Sequence, residues 1–128
     1  ELLAPYWETK PIRLIPGGGT VGLRSLFLIA YSGYRKIHCY GFDSSYEGDQ
    51  HHAYPQALND ADQVREVALK AEDGSVKLYQ AAGWMIRQAE EFKWVKRDLD
   101  REGVRVFVHG RGLLPDIAKA LREEELAA

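Results

Sequence analysis

A single cysteine, Cys39, stands in a chain of 128 residues. That scarcity excludes an internal disulfide and a cysteine-built structural zinc site, and it suits a reducing compartment. Hydrophobic runs are short: none approaches the roughly 18 residues of a membrane span. The opening residues ELLAPYWETK have neither the basic start nor the apolar core of a signal peptide. A surplus of one charge is lacking too, since 17 Lys and Arg against 19 Asp and Glu leave a net charge of −2. Such a balance supplies no general field for nucleic acid or an anionic membrane. The expectation is a cytoplasmic protein with no nucleic-acid and no membrane partner, in which any anion site is local. The sequence opens at Glu1 without a methionine, which suggests processing or a piece of a longer protein.

What is present fits one domain over residues 1–128. Glycine and proline punctuate short regular elements, with no repeat and no low-complexity tract. Ile12 to Pro16 is a short apolar run stopped by proline and glycine and predicts a strand. In TVGLRSLFLIAYSG, Val21, Leu23, Leu26, Phe27, Ile29 and Ala30 recur at helical spacing, with Thr20 as N-cap and Gly33 as stop. Arg35 to Asp43 predicts a second strand, parallel to the first through a right-handed crossover. Ser44 to Asn59 reads as a long surface loop. Gln63 to Gln80 predicts a hairpin turning at Asp73-Gly74. Gln80 to Glu102 predicts a helix striped by Trp84, Met85, Ala89, Phe92, Val95 and Leu99, and stopped by Gly103. Lys93, Lys96, Arg97 and Arg101 read as its solvated face. VRVFVHG predicts a strand, and Pro115 to Glu125 a closing helix. The pattern is α/β with a β-hairpin insertion.

Four places carry chemistry-bearing residues. Gly17, Gly18 and Gly19 leave backbone N–H groups uncovered just before a helix that starts at Thr20, an arrangement suited to phosphate or carboxylate. The same glycines also suit a tight strand-to-helix turn. Asp43, with Ser44 and Ser45 beside it, falls at the carboxyl end of a predicted parallel strand, where open α/β sheets bind ligands. Its carboxylate suits a ribose hydroxyl or a magnesium ion, or equally the capping of the following turn. The loop adds Asp49, His51, His52, Tyr54, Gln56, Asn59 and Asp60 on the same side. Adjacent histidines alternate faces, so His51 and His52 do not suit one zinc ion together; a single imidazole near a phosphate or hydroxyl is the chemical reading, a solvated histidine the plain one. Arg111, in the glycine-flanked turn His109-Gly110-Arg111-Gly112, is a further anion candidate.

Together GGGTVGLRSLFLIAYSGYRKIHCYGFDSS and HAYPQALN resemble the MptE-like domain family, named for hydroxymethylpterin diphosphokinase and found in motility accessory factors linked to flagellin glycosylation. The stretch is also similar to Rossmann-like sialyltransferases that use a CMP-sugar. The resemblance implies a Rossmann-like, mostly parallel sheet flanked by helices, and a nucleotide-dependent transferase. In the diphosphokinase form, ATP gives a diphosphoryl group to a hydroxymethylpterin-type acceptor, with Mg2+ as cofactor. In the glycosyltransferase form, the crevice holds a nucleotide sugar. Carried onto this chain, the catalytic candidates are Asp43 and His52, with Asp43 also the metal ligand. Gly17, Gly18, Gly19, Thr20 and Ser44 face the cofactor, and Tyr54, Gln56, Asn59 and Arg111 the substrate. The family's earlier strand with a Gly-x-Gly-Pro-Ser-Leu turn has no counterpart before Leu14, which implies a missing amino-terminal Rossmann half. The rival reading is a non-catalytic module whose homo-oligomer completes the sheet, with Trp7, Trp84 or Trp94 as contacts.

Overall fold

The computed structural model describes residues 14–47, 63–70 and 73–127, with side chains as far as Glu123. In chain order the elements are α1 (Val21–Tyr31), β1 (Lys36–Tyr40), β2 (Val64–Lys70), β3 (Val76–Ala82), α2 (Gly83–Arg101), β4 (Arg105–His109) and α3 (Leu113–Ala127). The fold is mixed α/β, with a two-stranded parallel sheet, β1–β4, and a separate antiparallel hairpin, β2–β3. Among the described residues no helix is long and apolar enough to cross a membrane.

Local chemistry sets the element ends. Thr20 is extended, and its Oγ1 accepts the Leu23 N–H at 3.3 Å, which satisfies one orphan donor at the start of α1. At the other end Gly33 takes a φ of +98°, and the N–H groups of Gly33 and Tyr34 return to the carbonyls of Ala30 and Ile29. The hairpin turns where Ser75 donates its N–H to Asp73 Oδ1 at 2.8 Å. Helix α2 follows β3 directly from Ala82, with no capping side chain. Pro115 is tolerated in the first turn of α3, where its missing N–H forfeits no helical bond.

The core lies on one side of the parallel sheet. Ile37 and Cys39 of β1 and Val106 of β4 meet Leu23, Leu26, Phe27 and Ala30 of α1, Phe92, Val95 and Leu99 of α2, and Leu114 and Ala118 of α3. The hairpin rests on the helices rather than on the sheet: Tyr79 packs with Ala89, Leu113 and Ile117. Tyr46 ties the segment after β1 to the hairpin by donating its N–H to the Gln80 carbonyl at 2.7 Å.

Three expectations change. Leu14 to Pro16 form no strand, and the remainder of that run lies outside the described residues. Leu14 is 74% exposed, so its apolar side chain meets no sheet here. The parallel partner of β1 is β4, in register from Lys36↔Arg105 to Tyr40↔His109. Lys96 is not on a solvated face: its side chain is buried, and its ammonium reaches Asp100 one turn on at 2.5 Å. A buried amine of this kind needs its partner carboxylate.

Phe92 is fully buried at the centre of this core. Phe92→Ala should cost about 3–5 kcal/mol of stability, read as a fall in the urea midpoint at unchanged slope.

Candidate functional site

Because β1 and β4 run parallel, the loops that leave their carboxyl ends meet at one rim. The loop after β1 carries Asp43 to Glu47; the loop after β4 carries Gly110 to Gly112 and enters α3. The two touch backbone to backbone. A Cβ at Gly112 would stand 2.6 Å from the Asp43 carbonyl oxygen and 2.9 Å from Ser45 Oγ, and φ there is +140°, so glycine is required on both counts. The close approach lets the β1 loop cap α3: the Leu113 N–H donates to Ser45 Oγ and the Leu114 N–H to the Asp43 carbonyl, each at 3.1 Å. Two of the orphan donors at the start of α3, where Pro115 supplies none, are thus satisfied by a distant part of the chain. Ser44 adopts the left-handed region, with φ of 51°, at a cost of about 1–3 kcal/mol. Its hydroxyl is buried and donates to Gln88 Oε1 at 3.2 Å.

Between this rim and β3 lies a cleft of about 240 Å³, lined by Asp43, Ser45, Tyr46, Glu47, Lys77, Leu78, Tyr79, Arg111 and Gly112. Two carboxylates and two cations therefore share one small concavity. Burial, and then the neighbouring Glu47 charge, raise the Asp43 pKa from its ordinary value. On the far wall Asp116 of α3 accepts from the Lys77 ammonium at 2.5 Å and from the Tyr79 hydroxyl. Burial opposes ionisation of Asp116, but the bonds from Lys77 and Tyr79 and the charges of Lys77 and Lys119 outweigh it, so its pKa is lowered. The bond to Asp116 raises Lys77, and burial followed by the same bond raises Tyr79. One acid is thus locked in its charged form, and the other is held where a proton or a cation is favoured.

Of the residues expected from the sequence, Asp43 and Arg111 line the same cleft although they come from opposite parts of the chain. Gly17, Gly18, Gly19 and Thr20 lie elsewhere, around Glu91 of α2, whose Oε2 accepts the Gly19 N–H at 2.7 Å. Arg24 Nε closes the same turn by donating to the Gly18 carbonyl at 2.9 Å. The glycine turn does hold an anion, and it is this chain's own carboxylate. Ser44 points at Gln88 rather than into the cleft. His52, Tyr54, Gln56 and Asn59 lie outside the described residues. Cys39 faces the core, where burial pushes its thiol up to about 11, as expected of an inert buried cysteine.

No family model, curated protein or solved structure matches this chain. The cleft is therefore read from its own geometry. Sequence reasoning missed Glu47, Lys77, Tyr79 and Asp116. The signal for two of them was the period of β3, which puts Lys77 and Tyr79 on one face; nothing local announces that this face meets α3.

The two aspartates should respond to pH in opposite ways. The fold opposes ionisation of Asp43, a cost that appears as pH rises from the ordinary carboxylate range through the raised value. Asp43→Asn should then be more stable than the parent near pH 7, with the gap gone by about pH 3. Asp116 contributes stability above its unfolded value that is lost as pH falls through its lowered one. Asp116→Asn should be less stable by about 1 kcal/mol near pH 7, the figure discounted for its partial exposure, and converge with the parent in acid. Urea midpoints across pH check both.

Proposed function

We propose that this chain is a nucleotide-dependent transferase domain of the MptE-like kind with a Rossmann-like arrangement, transferring a diphosphoryl group from ATP to a hydroxymethylpterin-type acceptor. The observation that carries the reading is the convergence of Asp43 and Arg111, from two strand ends far apart in sequence, in one cleft at the carboxyl rim of a parallel sheet. Arg111, with its forked donors, and Lys77, as a point charge, suit phosphate oxygens. The cleft is smaller than the roughly 300–1,000 Å³ of a full ligand site, so it takes the phosphate-bearing end and leaves the base outside.

The donor set fits a hard divalent cation. Asp43 and Glu47 offer carboxylate oxygens on one wall, and the burial of Asp43, with the Glu47 charge beside it, is what such an ion offsets. Among the described residues no three metal-ligating side chains cluster. Mg2+ does not need them, because it keeps several waters and binds through one or two carboxylates together with substrate phosphates. When bound, it supplies neutralisation of phosphate charge during transfer. The residues themselves position: the α3 cap fixes the Asp43 backbone, Arg111 orients the phosphate, and the Lys77–Tyr79–Asp116 group stiffens the opposite wall.

Calorimetric titration with ATP and with CMP, each with and without Mg2+, tests this. Magnesium-dependent ATP binding should fall tenfold or more in Asp43→Ala and in Arg111→Ala. Preference for CMP would move the assignment to sugar transfer. A folded chain that binds neither would contradict the reading and favour the non-catalytic module whose homo-oligomer completes the sheet.

A further inference from the structure

Among the described residues, the parallel sheet buries one face and leaves the other exposed or half-exposed. Burial alternates along β1, so Ile37 and Cys39 enter the core while Lys36, His38 and Tyr40 point away from it. Register sets Arg105, Phe107 and His109 of β4 directly beside those three. None of the six is acidic: the face carries two fixed cations, two imidazoles and two aromatic rings. Arg122 of α3 adds a third cation, its guanidinium 4.9 Å from the centre of the Phe107 ring. Parallel sheets are ordinarily covered on both faces, so a face of this composition that stays exposed on β1 and half-exposed on β4 among the described residues calls for an occupant.

The rings are already ordered. His38 stacks on Phe107 at 4.8 Å and 12°, and His109 stacks on Tyr40 at 4.6 Å and 12°. The two imidazoles are bonded to each other, Nδ1 of His38 to Nε2 of His109, at 2.8 Å. Arg122 covers the outer side of Phe107, whereas Tyr40, at 73% exposure, ends the stack on the β1 side with its other ring face open. Another planar group can extend this stack.

We propose that this face binds single-stranded nucleic acid, with a base stacking onto Tyr40 at the end of the Phe107–His38–His109–Tyr40 stack and phosphates meeting Lys36, Arg105 and Arg122. Charge argues against a second copy in the same place, since a two-fold contact would set the three cations against their own counterparts. The occupant is therefore anionic, and the open ring face selects one with planar groups. The chain's net charge of −2 is no obstacle, because the basic residues are concentrated on one face. None of the six sheet residues lines the strand-end cleft, so this inference stands apart from the transferase reading.

Fluorescence anisotropy with a labelled single strand of about 12 nucleotides, as RNA and as DNA, tests the proposal against a duplex of the same sequence. The single strand should bind more tightly than the duplex. Tyr40→Ala should weaken it about tenfold or more while Tyr40→Phe retains it. The log–log salt slope should be about −2 for three phosphate contacts, and shallower by about 0.7 in Arg105→Gln. Circular dichroism and the urea midpoint confirm that each variant is folded. Absence of single-strand binding, or binding indifferent to Tyr40→Ala, overturns the proposal. So does equally tight capture of polyglutamate, which would assign the face to an acidic protein.

Discussion

The contact between Gly112 and the Asp43 carbonyl sets the geometry of the rest of the molecule. Only a residue without a Cβ, in a backbone conformation that other side chains rarely adopt, brings the start of α3 within hydrogen-bonding reach of the β1 loop. From that approach follow the two capping bonds to Leu113 and Leu114, the fixed position of Asp43, and the placement of Arg111 beside it. The left-handed Ser44 is part of the same device: it turns its own hydroxyl inward to Gln88, while Ser45 on the next position caps the helix. Local strain is kept because the surrounding bonds over-determine it.

A second consequence concerns sidedness. All three helices contribute to one core against Ile37, Cys39 and Val106, and the hairpin packs on α2 and α3 instead of adding to the sheet. Among the described residues, the strand ends and the outer face are left open together. The cleft mixes charges of both signs in a small volume, and its Lys77 and Tyr79 are tied to Asp116 of α3. The outer face holds only positive charge and rings. The two surfaces suit different ligand chemistry, and both adjoin the β1–β4 pair, one at its carboxyl ends and one on its outer face.

Much of the fold was legible in the residues. Thr20 and Gly33 marked the ends of α1, Asp73-Gly74 marked the hairpin, and the stripe from Met85 to Leu99 marked the buried side of α2. These are local signals of capping, turn chemistry and period. The strand expected at Ile12 to Pro16 shows their limit. An apolar run bounded by proline and glycine states a preference, whereas the strand that pairs with β1 is β4, which buries Val106 in the core and packs Val108 against it. Lys96 fails for a related reason: helical spacing assigns it to a polar side, but packing buries it and Asp100 answers its charge. At the site, Asp43 was legible from its place after a strand and Arg111 from its glycine turn. The Lys77–Tyr79–Asp116 group was not, because it depends on how the hairpin lies across α3. The glycine turn at Gly17 to Gly19 was recognised as an anion-holding shape, yet the sequence could not show that Glu91 fills it.

The central claim is that the β1 loop and the start of α3 form one pre-organised rim, and amide hydrogen exchange at Leu113 and Leu114 tests it most directly. Donors at a free helix start exchange quickly. The account predicts protection of about 100-fold or more at both positions, with Ser45→Ala releasing Leu113 and sparing Leu114. Unprotected amides at both positions in the parent chain would contradict it.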